Sequence, residues 1–404
     1  MKRALVLAGG GSRGSYHAGV WTALREIGWH PNIVTGTSVG ALFGAAVVCD
    51  RFEEARAILT SVTDRDIAVL PEKFTDFTKL GSFITDITLH AGLDVSPLEK
   101  LLCEALDEDL VRSSPIDFGI VVVQKDGMRP IELTISEIPH GKLHDYLLAS
   151  AAFYPLYRAR KIKSKPHIDG GYYDNLPIGL AEDMGADEII AVDLKSIGIV
   201  QKYTGMLPVR YIRSYWDLGS IQRFIPARAE RNCRLGYLDT MKSFRRLEGK
   251  AFAFEPGGLD HFLSKYPDII RRSFSHIESV DSAVIGALLL LRKHADIHRN
   301  RKNAMLAFSE ITGKSLGLSP ERLYSFSEFL EEILSVYKDA STIELDPRHL
   351  TLSRKNTVRS MAETMAIGHI TPLLTVAASA LPQEFIAACF IAALLSLDTE
   401  TCNS

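Results

Sequence analysis

The residues best placed for covalent chemistry in this 404-residue chain are Gly36-Thr37-Ser38-Val39-Gly40. They follow Ile33-Val34 and open a small and apolar run from Ala41 to Val48. That is the strand, sharp turn and helix context in which a G-x-S-x-G serine becomes an exposed nucleophile. Gly36 and Gly40 remove side chains where the turn is tight and where Ser38 must stand clear of the backbone. Taken alone, the motif also reads as a plain glycine-rich strand-to-helix turn.

A second segment bears on that choice. Arg3 to Ala8 reads as a buried strand, leads into Gly9-Gly10-Gly11-Ser12-Arg13-Gly14, and is followed by a helical stretch from Tyr16 to Ile27. Successive glycines leave backbone N–H groups unshielded at a helix N-terminus, where negative charge is favoured. Two anions fit: a dinucleotide pyrophosphate, whose fingerprint Gly9-x-Gly11-x-x-Gly14 matches, or the oxyanion of an acyl-transfer intermediate. The dinucleotide reading requires an acidic residue about 20 positions on to hold the ribose. Between Glu26 and Asp50 there is no Asp or Glu. The loop therefore reads as an oxyanion hole beside Ser38.

A serine hydroxyl needs a base to take its proton. Of the twelve histidines, none sits in a setting like that of Ser38, and His17 on the first helix reads as a packing or surface residue. The strongest acid is Asp169, in Ile168-Asp169-Gly170-Gly171, after which the next histidine is the distant His261. Asp169 can act as the base itself if apolar enclosure raises its pKa, although an aspartate before Gly-Gly is also a common turn cap.

These three segments, in this order, resemble the signatures of the patatin-like phospholipases. Ala149-Ser150-Ala151-Ala152, Pro155, Asp174-Asn175-Leu176-Pro177 and the strand-like Gly185 to Asp193 match as well, so the resemblance spans residues 3 to 195. It implies a three-layer α/β/α fold with a helical C-terminal extension and hydrolysis of lipid acyl esters through an acyl-enzyme. It also implies a Ser–Asp dyad without histidine, and no metal or organic cofactor. By position Ser38 is the nucleophile and Asp169 the base. The Gly10, Gly11 and Arg13 N–H groups are the oxyanion donors, and Gly9, Gly14, Gly36, Gly40, Gly170 and Gly171 support the motifs. The chain departs from many members in having Ala8 before the glycine loop, and Phe153-Tyr154 before Pro155 are bulky enough to narrow an acyl channel. The expected substrate is a phospholipid or lysophospholipid. The rival readings are a lipid acyltransferase, which hands the acyl group to an alcohol or thiol, and a non-catalytic lipid-binding module.

Composition suits a globular chain with a large core: 46% hydrophobic and 24% charged residues. A net charge of −3 argues against a nucleic-acid partner. Five scattered cysteines show no metal-ligand or disulfide spacing. The chain enters a strand directly after Met1-Lys2, so a cytoplasmic location is expected, peripheral to the inner face of the membrane. Arg158 to Lys165 holds five cations and no anion, and Lys and Arg outnumber Asp and Glu ten to four between Arg210 and Lys250. Such runs read either as solvated faces or as an attraction for anionic head groups and peripheral membrane contact.

Residues 1–255 are expected to form the catalytic domain and 256–404 a mainly helical region, a lid or membrane-contacting element in one reading. Within it Ile277 to Ala295 reads as one apolar helix, Ser319-Pro320-Glu321 as a helix start, and 341–352 as a connecting loop. Phe385 to Leu397 is too short to span a bilayer and is expected to bury against the protein core, with membrane contact as the alternative.

Overall fold

The computed structural model describes residues 1–70, 92–297, 300–342, 353–368 and 370–401. The connecting loop expected over 341–352 lies outside the described residues from 343 onward, as does Cys402. Two compact units, Met1–Ser243 and Phe244–Ser404, divide the chain upstream of residue 255.

In chain order the first unit contains β1 (Arg3–Leu7), α1 (Ser15–Ile27), β2 (Ile33–Gly36), α2 (Val39–Val48), α3 (Phe52–Ser61), α4 (Asp64–Ile67), α5 (Ser96–Ala105), α6 (Glu108–Ser113), β3 (Asp117–Gln124), β4 (Arg129–Thr134), α7 (Leu143–Ser150), β5 (Arg160–Ile162), β6 (Lys165–Asp169), α8 (Ile178–Asp183), β7 (Glu188–Asp193), β8 (Val209–Arg213) and α9 (Pro226–Ser243). The strands form one eight-stranded sheet in the order β5-β6-β3-β2-β1-β7-β8, with β4 also pairing β3. β1, β2, β3, β7 and β8 run parallel, whereas β4, β5 and β6 add an antiparallel flank.

The central strands are continuous apolar runs because both faces are covered. Alternate residues point to opposite sides. Leu7, Val34 and Phe118 pack around Gly44 of α2, while Thr35 and Gly119 meet Leu180 of α8 and Met184 just beyond it. Helices thus lie on both faces, giving the three-layer α/β/α arrangement expected from the sequence. Ser38 follows β2 and Gly9 follows β1, so both emerge at the carboxyl edge of the parallel strands. β6 runs the other way against β3, with Asp169 opposite Val122.

The first helix is clamped to the last of this unit by two glycines. A Cβ at Gly19 would lie 1.8 Å from the Cys233 carbonyl oxygen, and one at Gly236 would lie 2.2 Å from that of Tyr16. Only glycine permits so close an approach of α1 and α9. Beside this contact the buried Tyr16 hydroxyl donates to Asp239 at 2.8 Å, and Lys242 pairs with the same carboxylate at 2.9 Å.

The second unit contains β9 (Ala253–Phe254), α10 (Gly258–Lys265), α11 (Ile269–Glu278), α12 (Asp281–His294), α13 (Arg301–Leu316), β10 (Leu323–Tyr324), α14 (Phe326–Asp339), α15 (Arg354–Ala366), α16 (Pro372–Ala380) and α17 (Pro382–Thr401). The single helix expected over 277–295 breaks at Ser279-Val280. The helix expected to begin at Ser319 begins at Phe326 instead. A reciprocal Ser325–Glu328 capping box fixes that start, and Leu323-Tyr324 is drawn into pairing with β9. Phe326, Leu330, Ile333 and Tyr337 then form the buried stripe.

Phe385 to Leu394 of α17 are buried on every side among α11, α12, α13, α15 and α16, as an all-round apolar helix requires. No single helix among the described residues is long and apolar enough to cross a membrane. The pair Pro372–Ala380 and Pro382–Leu397 passes by composition only when joined across a 119° bend. Glu310, fully buried on α13, accepts the N–H groups of Lys250, Ala251 and Phe252 at 2.7–3.0 Å and also bonds His294. These bonds offset the cost of burying its carboxylate.

Replacing Gly19 by Val is expected to destabilise the chain by about 1–3 kcal/mol or more, because the added carbons meet backbone rather than a movable side chain. Denaturant unfolding of the variant against the wild type measures this.

Candidate functional site

Ser38 occupies the N-cap position of α2 with φ 56° and ψ −128°. This backbone conformation is strained for a residue with a Cβ and costs on the order of 1–3 kcal/mol. Several bonds hold it. The Ser38 N–H donates to Ser150 Oγ at 2.9 Å, and that hydroxyl donates to the Val121 carbonyl at 2.7 Å. The Ser38 carbonyl accepts the Ala41 and Leu42 N–H groups, starting the helix. On the other side the Thr37 hydroxyl donates to the Asp174 carbonyl at 2.7 Å. A Cβ at Gly40 would lie 2.2 Å from the Leu7 carbonyl oxygen, so glycine there lets α2 start against β1.

The buried Asp169 ends β6. One carboxylate oxygen accepts the Gly171 N–H at 2.7 Å, and the Ser38 side chain stands near enough to the same carboxylate to favour its ionised form. Burial pushes its pKa up to about 6, against the opposing effect of the Gly171 N–H and the Ser38 side chain. No histidine lines the cavity around the pair among the described residues. His17 is buried, stacked on Phe43, and bonded through Nε2 to the Ala8 carbonyl at 2.9 Å. Burial lowers its pKa to about 4, so the ring is neutral and packs beneath the glycine loop.

In that loop the N–H groups have different fates. Gly9 donates to the Asn175 carbonyl, Ser12 to the Ile221 carbonyl, and Arg13 to the Gly10 carbonyl, all at 3.0–3.1 Å. Arg13 is therefore engaged within the loop's own turn. Its side chain reaches away to the carbonyls of Gly219, Leu194 and Lys195 and to Asp217, fixing the loop from behind. Among the described residues no protein acceptor meets the Gly10 and Gly11 N–H groups, and both glycines line the cavity with Ser38 and Asp169. Gly11 has φ 52°, and a Cβ on it would meet the Ile221 carbonyl at 2.1 Å. Gly9, Gly14, Gly36 and Gly170 sit at close approaches of the chain to Asn175, Val39, Gly40 and Val121. Gly171 supplies its N–H to Asp169.

From this cluster opens a cavity of about 510 Å³, inside the range of roughly 300–1,000 Å³ usual for small-molecule sites. Its walls are helix stripes: Leu42 and Ala46 on α2, Ala55 and Leu59 on α3, Leu98 and Leu102 on α5. Residues four apart share a helix face, so three helices present apolar stripes to a void. Ala46 lies eight residues beyond Ser38, about 12 Å along the α2 axis at 1.5 Å per residue. Phe153 lines this cavity and stacks on Tyr172 at 6.1 Å, whereas Tyr154 does not line it and lies under Lys125. The cationic run at 158–165 is partly neutralised. Arg160 forks onto Glu99 and Asp145 at 2.7 and 2.6 Å, and Arg158 pairs with Asp94 at 3.2 Å. Lys161, Lys163 and Lys165 remain exposed on the β5–β6 hairpin. In the later basic stretch Arg213 pairs with Asp193 and Lys242 with Asp239.

Some positioning residues carried no legible role in the sequence. Ser150 orients the Ser38 backbone across 112 residues of chain. Asn175 joins the glycine loop through Nδ2 to the Gly9 carbonyl at 3.2 Å. Ile221 backs the loop from a segment with no local signal at all. Ser150 and Asn175 lay in runs that matched the family pattern, but only the folded chain shows what they touch.

Residues 5–182 match the family model described as patatin-like phospholipase. The mouse patatin-like phospholipase domain-containing protein 6 is 25% identical over 329 residues, 76% of this chain and 23% of its own length. Lysophospholipase nte1 of Aspergillus fumigatus is 28% identical over 255 residues, 60% of this chain and 15% of its own. The chain therefore spans less than a quarter of these relatives. The crystal structure of VipD from Legionella pneumophila aligns over 96% of this chain and 91% of its own at 14% identity and a TM-score of 0.40. Over residues 5–182 the chain is thus similar to the patatin-like phospholipases.

Proposed function

We propose that the chain is a serine lipid acyl hydrolase of the phospholipase A or lysophospholipase type, working through a Ser38–Asp169 dyad. One observation carries this reading: Ser38 and a buried carboxylate of raised pKa line the same apolar cavity. The names of the relatives, phospholipase and lysophospholipase, support the same ester class.

In the proposed reaction the acyl chain lies along the α2, α3 and α5 stripes, which brings the ester carbonyl to Ser38. Asp169 takes the hydroxyl proton as Oγ forms its bond to the carbonyl carbon. The oxygen that becomes negative is held by the Gly10 and Gly11 N–H groups at the N-terminal end of the glycine turn. As the tetrahedral species collapses, the C–O bond to the alcohol breaks and Asp169 returns the proton to the departing oxygen. Water, deprotonated by the same carboxylate, then attacks the acyl-enzyme and releases the fatty acid. A carboxylate is a weak base in water, and burial raises its proton affinity towards the working range while keeping it ionised at neutral pH.

Three outcomes test this. Asp169→Asn abolishes ester hydrolysis and yet stabilises the fold at pH 8. A carboxyl whose folded pKa is raised from 3.8 to about 6 adds stability below the unfolded value and loses it as pH rises through about 6. Removing the charge therefore gains on the order of 1–3 kcal/mol above that pH. Thermal unfolding at pH 8 and at pH 4 reads the sign, and retained hydrolysis sinks the dyad. For the wild type, kcat rises about tenfold per unit below pH 6 and levels above it, since only ionised Asp169 accepts the proton. A flat profile across pH 5–7 contradicts the assignment. Ala46→Phe fills the cavity about 12 Å from Ser38. It cuts kcat/KM for long-chain esters at least about tenfold while sparing short ones, as a chain-length series would show.

A further inference from the structure

The segment that follows β7 is exposed in an unusual way for a loop. Ile197, Ile199, Val200 and Met206 are 72%, 53%, 48% and 99% exposed, so four large aliphatic side chains face solvent within ten residues. Exposed apolar residues are normally scattered, and a cluster marks an interaction surface. From Leu194 to Trp216 there are four cations, Lys195, Lys202, Arg210 and Arg213, and no Asp or Glu.

Under these side chains the backbone is pinned to the catalytic elements. The Ser196 hydroxyl donates to the Gly9 carbonyl. The Ile199 N–H donates to the Gly171 carbonyl at 2.9 Å, and the Ile199 carbonyl accepts the Asn175 N–H at 2.6 Å. Gln201 bonds Asp174 through its N–H at 3.3 Å and the Tyr173 carbonyl through its side chain at 2.9 Å. The loop is thus hydrogen-bonded both to the glycine loop and to the turn that follows Asp169. Ile197, Gly198 and Ile199 line the cavity itself, so the exposed apolar surface continues into the apolar wall of the site.

We propose that the loop from Ser196 to Met206 is a docking surface for an anionic lipid bilayer, through which an acyl chain passes from membrane to cavity. The aliphatic side chains enter the acyl boundary and Lys202 meets the head-group phosphates, the division of labour by which amphipathic surfaces bind anionic membranes. A second copy of the chain fits less well. A stable dimer takes about 20–30 residues a side, and this loop offers four large apolar ones beside a cation that its twin would repel. The proposal rests on the lipid-ester reading for what enters the cavity, but docking can be measured without turnover.

Co-sedimentation of the full chain carrying Ser38→Ala tests it, with vesicles of phosphatidylcholine alone and of an equal mixture with phosphatidylglycerol. The chain is expected to bind the anionic vesicles. Val200→Asp with Met206→Asp, neither residue lining the cavity, should weaken that binding at least about tenfold. Lys202→Glu should weaken it about tenfold on anionic vesicles only. In the Ser38 background the same variants keep their rate on a soluble short-chain ester and lose it on vesicle lipid. Absence of binding by the parent chain, or aspartate variants that sediment as the parent does, overturns the proposal. So does a dimer that the aspartates dissociate without any vesicle binding. Loss of the soluble-ester rate in the unmutated chain counts instead against the catalytic reading.

Discussion

The first unit depends on one juxtaposition, a serine side chain beside a carboxylate removed from water. A charged carboxylate is costly to bury, and a serine at φ 56° is costly to hold. The fold offsets both at the same place. β1, β2 and β3 end near one another on the carboxyl edge of the sheet, and β6 arrives antiparallel so that its last residue faces Val122. Gly171 then gives its N–H to Asp169, while Ser150 takes that of Ser38. Removing any of these supports leaves an unsatisfied buried group rather than a merely weaker contact.

That constraint explains the density of glycine around the site. Backbone donors must reach an oxyanion without intervening side chains, and α2 must begin against the Leu7 carbonyl. It also explains why the far walls can be plain aliphatic helix stripes. Polarity is spent in the small cluster at one end, and the rest of the cavity has to exclude water. In the proposed reaction that exclusion keeps Asp169 basic enough to take a serine proton.

The second unit solves a different problem. Its most apolar helix, α17, is surrounded by other helices, and the buried Glu310 satisfies three successive N–H groups from the chain before β9. A phenylalanine cluster, with Phe252 and Phe254 both 4.9 Å from Phe329, locks that two-residue strand onto α14. Such a core forms from segments far apart in the chain, which is why local patterning misjudged parts of it. Ser319-Pro320 carries a sound helix start, yet the Ser325–Glu328 capping box sits six residues nearer the apolar stripe, and the strand before it is claimed by β9.

The sequence by itself determined the strand, turn and helix around Ser38, the glycine loop after β1, Asp169 as the acid before Gly-Gly, and the periodic stripes on the helices. All of these follow from backbone chemistry within a few residues, where glycine, caps and apolar spacing act. Only the tertiary structure decided that Ser38 and Asp169 line one cavity, that burial lifts the carboxylate's pKa to about 6, and that Arg13 N–H turns back to Gly10 while, among the described residues, no protein acceptor meets those of Gly10 and Gly11. It also decided that three apolar stripes enclose a void instead of a core. Those properties depend on distance and desolvation between segments far apart in the chain, as Thr37 and Asp174 are at 137 residues. No local pattern encodes how much water such a meeting leaves behind.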